Sequence, residues 1–323
     1  MSKFQGIYSK LIDQYIEFKR SLGYKYKSPE YTFRLFDKFT IKNGETEIGI
    51  TKELSDKWAK KRPNESDNTR YKRVMHLIKF ASFLNDLGYD SYIPKLPKNY
   101  KSTFTPYIFS RQEIEIILSA SAQLIMGSSM NSTVNVIPAI LRMLYGTGIR
   151  VGEAVSLKVK DVNLDEQYLI IRHSKNGKER MIPFSDSLTE VCKQYRNSLQ
   201  IIEDDEKYFF VKRNGYKCSA KVIYNWFRKV LWKAGIPHGG KGNGPRLHDF
   251  RHTFSVHTMA AMAKSGLDLY YSLPILSEYL GHQSLEATEK YVRLTSEMYP
   301  DLLSEVNSIC SYAFPEVISN ETD

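Results

Sequence analysis

The chain has 323 residues, 42% hydrophobic and 25% charged, with 46 Lys and Arg against 36 Asp and Glu and a formal net charge of +10. That length suffices for two domains with separate cores, and the balance is that of an ordinary globular protein. No apolar run is long enough to span a membrane and no basic-then-apolar leader opens the chain, so the expected location is the cytoplasm. Cys192, Cys218 and Cys310 stand far apart with no CxxC pair, which argues against a disulfide framework or a zinc site. Residues 1–105 carry 21 basic side chains against 12 acidic, residues 106–294 carry 25 against 18, and residues 295–323 carry none against six. Two basic segments before an acidic tail suit a polyanion held by both, although a merely soluble basic protein has the same balance.

In chain order, residues 4–22 form an amphipathic helical pattern, with Ile7, Leu11, Ile12, Tyr15 and Phe18 at helical spacing and Gly23 as its stop. Further helices are predicted over residues 29–41, 51–61 and 67–87, the last offered Ser66, Asp67 and Asn68 as caps. No strand pattern appears, so residues 1–91 read as a compact helical domain. Residues 92–105 carry Pro94 and Pro97 among lysines and read as a linker. A helix begins near Ser110, with Glu113 as capping-box partner.

Residues 106–294 are mixed. Helices are predicted over residues 111–123 and 135–145, and another opens at Arg150. A hairpin pairs YLIIRH with RMIPF across an Asn176-Gly177 turn, and residues 207–212 suggest a third strand. Beyond Ser219 the pattern is helical, broken near residues 235–244 and at Gly266. Residues 300–312 suggest a short amphipathic helix inside a C-terminal segment, 295–323, that ends as an acidic tail. The expected class is mainly α with a small β-sheet, a helical domain followed by a mixed α/β one.

The chemistry concentrates in three phrases: GTGIRVGEAVSL with Arg150, RLHDFRHTF with His248 and Arg251, and YLGHQSLEATEKYVRL with His282 and Tyr291. Arg150 follows a glycine turn and opens a helix, where backbone N–H groups favour an anion. Glu153, one turn on, can hold its guanidinium, though the same i,i+3 spacing describes any surface ion pair. His248 and Arg251 share a helix face. His252 reads as a neighbour that packs or supports, while His76, His173, His238 and His257 read as structural. Tyr291 is one of 22 tyrosines, and by pattern alone it reads as core, as do Tyr270, Tyr271 and Tyr279.

In order and spacing these phrases resemble the tyrosine site-specific recombinases, the phage-integrase-like family, from about residue 105 to 294 and more loosely over the N-terminal segment. The resemblance implies an N-terminal core-binding domain and a catalytic domain that cuts and rejoins DNA without metal or other cofactor. Tyr291 would attack a phosphodiester to leave a 3′-phosphotyrosyl bond. Arg150, Arg251 and His282 would neutralise the charge of the pentacoordinate state, and His248 would accept the phenol's proton. A hairpin-loop lysine, Lys175 or its rival Lys178, would protonate the departing 5′-oxygen. The family's partners follow: double-stranded DNA with specific core sites, a dimer on each site, and a synaptic tetramer in which the terminal helix docks on a neighbour, unless it packs on its own domain.

Candidate DNA contacts are Lys25, Lys27, Arg34, Lys60, Arg62, Arg70, Lys72 and Arg73 in the first domain. Lys221, Tyr224, Asn225 and Arg228 lie on a helix that resembles the family's major-groove helix. About thirty residues separate Arg251 from His282, and YYSLPILSEYLGH resembles integrases of mobile elements, as does the lack of an arm-binding domain. The alternatives are a silent DNA-binding protein on the same fold and a nicking and resealing enzyme of topoisomerase type.

Overall fold

The computed structural model describes residues 3–98, 105–125, 129, 132–172, 179–199, 204–240, 244–282 and 284–299. The side chains of residues 269, 270, 287 and 296–298 are outside that description. The chain divides into two compact units, Met1–Phe104 and Thr105–Asp323.

The first unit contains four helices, α1 (Ser9–Ser21), α2 (Lys27–Lys42), α3 (Lys52–Ala59) and α4 (Asp67–Asp86). α1 starts later than its apolar spacing suggests. The Asp37 carboxylate accepts the backbone N–H groups of Gln5 and Gly6, both at 2.9 Å, so this stretch is tied to α2 and does not extend the helix. Ser66 caps α4 and Thr51 caps α3, each accepting the N–H three residues on at 3.2 and 3.1 Å. The core is aromatic, with Tyr8, Tyr15, Phe33, Phe36, Trp58 and Phe80 all buried. Arg73 corrects one expectation. Its sequence context suggests a DNA-facing surface, yet it is 4% exposed and its guanidinium donates to both Glu65 oxygens and to the Trp58 and Lys60 carbonyls. A 4%-exposed cation with four of its five donors engaged inside the fold closes the α3–α4 connection and is not presented to a phosphate.

The second unit contains α5 (Arg111–Ala122), α6 (Ile137–Thr147) and a single turn, α7 (Val151–Ala154). Strands β1 (Val162–Asn163), β2 (Tyr168–Ile171) and β3 (Arg180–Pro183) follow, then α8 (Asp186–Asn197), α9 (Ala220–Lys233), α10 (Asp249–Lys264), α11 (Leu269–Leu280) and α12 (Glu286–Met298). Ser110 and Glu113 close the expected capping box, at 3.1 and 2.8 Å. The sheet is antiparallel in order β1-β2-β3, with Leu169 opposite Ile182. The Asn176-Gly177 turn lies outside the described residues, as do His173, Cys310 and residues 300–312.

Residues 207–212 do not form the expected strand and make only isolated bridges, Lys158 to Tyr208 and Val211 to Lys217. Phe209, Phe210 and Val211 are all buried in succession, so this run enters the core whole and lacks the alternation of a sheet face. Helix α8 had no counterpart among the expected elements, although Ser185 caps it.

The interior helices α6 and α10 carry the core. Ile140, Leu141 and Leu144 of α6 join Phe109, Phe227 and Phe250 in the main cluster. On the other side of α10, Val256, Met259 and Ala260 pack with Leu276 and Leu280 of α11 and with Tyr291 and Leu294 of α12. That smaller cluster positions the C-terminal motif residues against the middle ones.

Candidate active site

α6 ends at Gly148, whose φ of +62° is a left-handed turn. A Cβ there would lie 2.4 Å from the Phe254 ring, so both backbone angle and space require glycine. The turn delivers Arg150 in extended conformation to the N-cap of α7. Glu153 accepts the Arg150 backbone N–H and its guanidinium, each at 2.9 Å. The Arg150 side chain remains 26% exposed. It is aimed by the pair without being enclosed by it.

Glu153 has a second partner that sequence reasoning missed. Arg180, at the start of β3, donates to Glu153 at 2.8 and 3.4 Å and to the Tyr279 carbonyl at 3.1 Å. Burial works to raise the Glu153 carboxyl, but hydrogen bonds with Arg180 and the Arg150 backbone outweigh it and hold the group below the usual carboxylate range. The available signal was strand alternation, which puts Arg180 on the same face as buried Ile182.

His248 is the N-cap residue of α10, and Arg251 and His252 lie in the helix's first turn. Arg251 is 2% exposed and donates to the Gly148 carbonyl at 2.9 Å and the Leu280 carbonyl at 2.7 Å. One guanidinium therefore ties the glycine turn before Arg150 to the turn before His282. Burial, followed by the Arg150 charge, lowers it to about 10, so it stays charged at neutral pH. Gly281 has φ +66° and packs on Arg180, with an added Cβ 3.0 Å from Nη1.

Tyr291, on α12, is 1% exposed, and its hydroxyl lies 3.0 Å from Nδ1 of His252. Its ring stacks on His282 with centroids 6.1 Å apart, and Lys290 Nζ lies 5.6 Å from its centroid. His282 Nδ1 is engaged at 2.6 Å by Thr288 Oγ1, which orients the ring and leaves Nε2 for another partner. Burial pushes His282 down to about 4 and His252 to about 3. Crowding by protein atoms, then Arg251 and Arg150, also lowers His248, although the residue's surface reaches solvent. Burial raises the Tyr291 phenol, against the opposing pull of Arg251.

Arg150, His248, Arg251, His282 and Tyr291, scattered over 142 positions of the sequence, thus meet around α10 and the start of α12. At neutral pH the site holds two guanidiniums, neutral imidazoles and a protonated phenol, a constellation that receives an anion and offers it an oxygen nucleophile. No group of three or more His, Cys, Asp or Glu that could hold a metal occurs among the described residues. Lys175 and Lys178 lie outside them. His257 is structural in geometry, 3.0 Å from the Tyr145 hydroxyl.

Of the other candidate DNA contacts, Lys221, Asn225 and Arg228 line one exposed face of α9, with Tyr224 half-buried beside them. Lys25, Lys27, Lys60 and Lys72 are exposed. Arg34 shares the buried Glu30 carboxylate with Lys3 and Arg20. Arg62 lies over the Trp58 ring at 4.5 Å, and Arg70 donates to the Ala59 carbonyl at 2.8 Å, both half-buried. No helix among the described residues is long and apolar enough to cross a membrane.

Known proteins resemble this chain in sequence and in fold. A Sinorhizobium fredii (strain NBRC 101917 / NGR234) protein named as an integrase/recombinase, y4rB, is 29% identical over 303 residues, covering 90% of this chain and 94% of its own. Tyrosine recombinase XerA of Pyrococcus furiosus is 34% identical over 171 residues, 52% of this chain and 54% of XerA. Among solved structures, a lambda integrase dimer bound to a core site shares the fold with a TM-score of 0.61 at 18% identity, over 87% of this chain and 93% of that one. Residues 109–298 match the phage integrase family, and with more than half its length inside that match the chain belongs to that family.

Proposed function

We propose that this protein is a site-specific DNA recombinase that cuts and rejoins DNA through a 3′-phosphotyrosyl intermediate on Tyr291. The observation that carries the reading is the Tyr291 hydroxyl held among Arg251, His252 and His282 beneath an aimed Arg150. The scissile phosphate binds Arg150, the face of Arg251 toward Tyr291, and the free nitrogens of His248 and His282. These groups gain interaction as negative charge builds in the pentacoordinate state, and loss of one such donor costs about 3–4 kcal/mol of barrier. Lys175 protonates the departing 5′-oxygen. The phosphotyrosyl bond conserves the energy of the broken diester, so a 5′-hydroxyl of a partner strand reseals it without a nucleotide cofactor.

Residues 1–91 and the exposed α9 face around Lys221, Asn225 and Arg228 grip the duplex, and one dimer occupies each core site, as the DNA-bound lambda integrase dimer supports. Two such dimers form the synaptic tetramer. The sequence features around YYSLPILSEYLGH favour an element-encoded integrase acting in the cytoplasm.

The test is covalent trapping. The full chain is incubated with a randomised pool of nicked duplexes, denatured, and scored for a protein–DNA adduct beside Tyr291→Phe. An adduct absent from the variant supports the reading and delivers the target sequence. Sequence-selective binding without an adduct refutes it in favour of a binding-only protein. Adducts that only relax supercoiled DNA and never yield recombinant joints mark a topoisomerase-like enzyme.

A further inference from the structure

Attack by a phenol requires that its proton go somewhere, and the described residues around Tyr291 leave few acceptors. Arg251 and Lys290 are cations with no lone pair to offer. His282 Nδ1 is occupied by Thr288 and its Nε2 is the nitrogen left to the phosphate; the Ser255 hydroxyl, which donates to the Arg251 carbonyl at 2.8 Å and also hydrogen-bonds the phenol, is far too weak a base to take its proton. His248, the acceptor that the family resemblance implies, makes its ring contact with His252, centroids 4.9 Å apart, and its free nitrogen is the one assigned above to the phosphate. His252, by contrast, is 6% exposed, its ring is 5.7 Å from that of Tyr291, and its Nδ1 is at hydrogen-bond distance, 3.0 Å, from the phenol oxygen.

We propose that His252 is a catalytic residue, the group whose Nδ1 accepts the Tyr291 proton as the phenol attacks. The inference rests on Tyr291 being the nucleophile. In the step the Oη–H bond breaks and its proton passes to Nδ1, giving an imidazolium. The freed electron pair forms the Oη–P bond, and the P–O5′ bond breaks as its oxygen takes a proton from Lys175. The return step reverses each transfer. His252 is kept neutral, and so ready to accept, by burial first and then by the groups around it: His248 at the N-cap of α10, Lys290 on α12, Arg251 on α10 and His282 before α12, while Tyr291 is the polar group its Nδ1 faces. Arrival of the negative phosphate offsets Arg251 and Lys290 and raises the imidazole's proton affinity at the moment it is needed.

The test measures single-turnover adduct formation by the full chain on nicked duplex, with the natural 5′-oxygen and with a 5′-bridging sulfur whose thiolate leaves without protonation. His252→Asn puts an amide at the position of Nδ1 that can hydrogen-bond the phenol but cannot take its proton. The expected result is a loss of about 10²–10⁴-fold on both substrates alike. The rate should also rise about tenfold per pH unit as hydroxide replaces the imidazole, where the wild type is flat through the neutral range. Fluorotyrosine at position 291, a more acidic phenol, should recover part of the loss. A rate within about threefold of wild type, or rescue by the bridging sulfur, overturns the proposal. Thermal melts and DNA binding verify folding, with His252→Gln as substitute if the first variant is unstable. An adduct that needs Tyr291 but not His252 sinks this proposal alone, whereas absence of any Tyr291-dependent adduct sinks the recombinase reading itself.

Discussion

Glu153→Gln isolates the network that aims Arg150. Each Glu153 oxygen takes one donor from Arg150 and one from Arg180: Oε1 faces the two Nη1 atoms, and Oε2 faces the Arg150 backbone N–H and Arg180 Nη2. A carboxamide keeps the shape but turns one acceptor into a donor, so whichever way it flips, N–H faces N–H. The Glu153 and Arg180 side chains are only 6% and 7% exposed, so their pair falls in the range of about 3–5 kcal/mol found for breaking buried pairs. The Arg150 pair, more exposed, adds little. Because Arg180 keeps its bond to the Tyr279 carbonyl, the expected loss is about 3 kcal/mol. Hydrogen exchange of the α10 amides reads the second unit alone, and they should exchange about 100-fold faster. Glu153 has a depressed carboxyl, so its contribution is present above the unfolded carboxylate range and lost as pH falls through the folded value. The difference between wild type and variant must therefore shrink in acid. Exchange altered by less than about threefold, or full additivity with Arg180→Met, would refute the network.

Gly148→Ala forces a side chain into a left-handed turn and against Phe254, displacing the carbonyl that holds Arg251. It should cost about 2–4 kcal/mol by thermal or urea unfolding and abolish adduct formation. His252 and His282, held down to about 3 and 4, take up protons only in the unfolded chain between those values and about 6.5, so stability of the second unit should fall as pH drops through that window. Buried Asp249, pushed up to about 6 with Oδ1 unbonded, acts in the opposite sense. Asp249→Asn should therefore stabilise at neutral pH, and its advantage should vanish near the ordinary carboxylate range in a pH series of melts. Lys221→Ala and Arg228→Ala, on the exposed face of α9, should each weaken DNA binding and lower the salt slope by about 1 in a titration against ionic strength. Arg73→Met should leave that slope unchanged while destabilising the first unit, because the side chain is buried with four of its five donors engaged inside the fold.

Local rules were legible in the chain. Apolar spacing, the Ser66 and Ser110 caps and the glycine stops each depend on residues within about four positions, and the β2–β3 pairing and the described helices, apart from α8 and the late start of α1, follow them. The motif residues Arg150, His248, Arg251, His282 and Tyr291 could be named because their order and spacing carry a family resemblance, and the fold brings them to one place. What the chain alone could not show is which side chains meet across it. Arg180 reaches Glu153 over 27 positions, and His252 reaches Tyr291 over 39. Arg73 looks like any groove-facing cation until α3 and α4 close around it, and residues 207–212 look like a strand until three successive side chains enter the core. Sequence determines the periodicities and the chemical inventory, because those are properties of neighbours. Only tertiary packing decides which charge is spent inside the fold and which group faces the nucleophile, because burial and long-range hydrogen bonds exist only once distant segments are in contact.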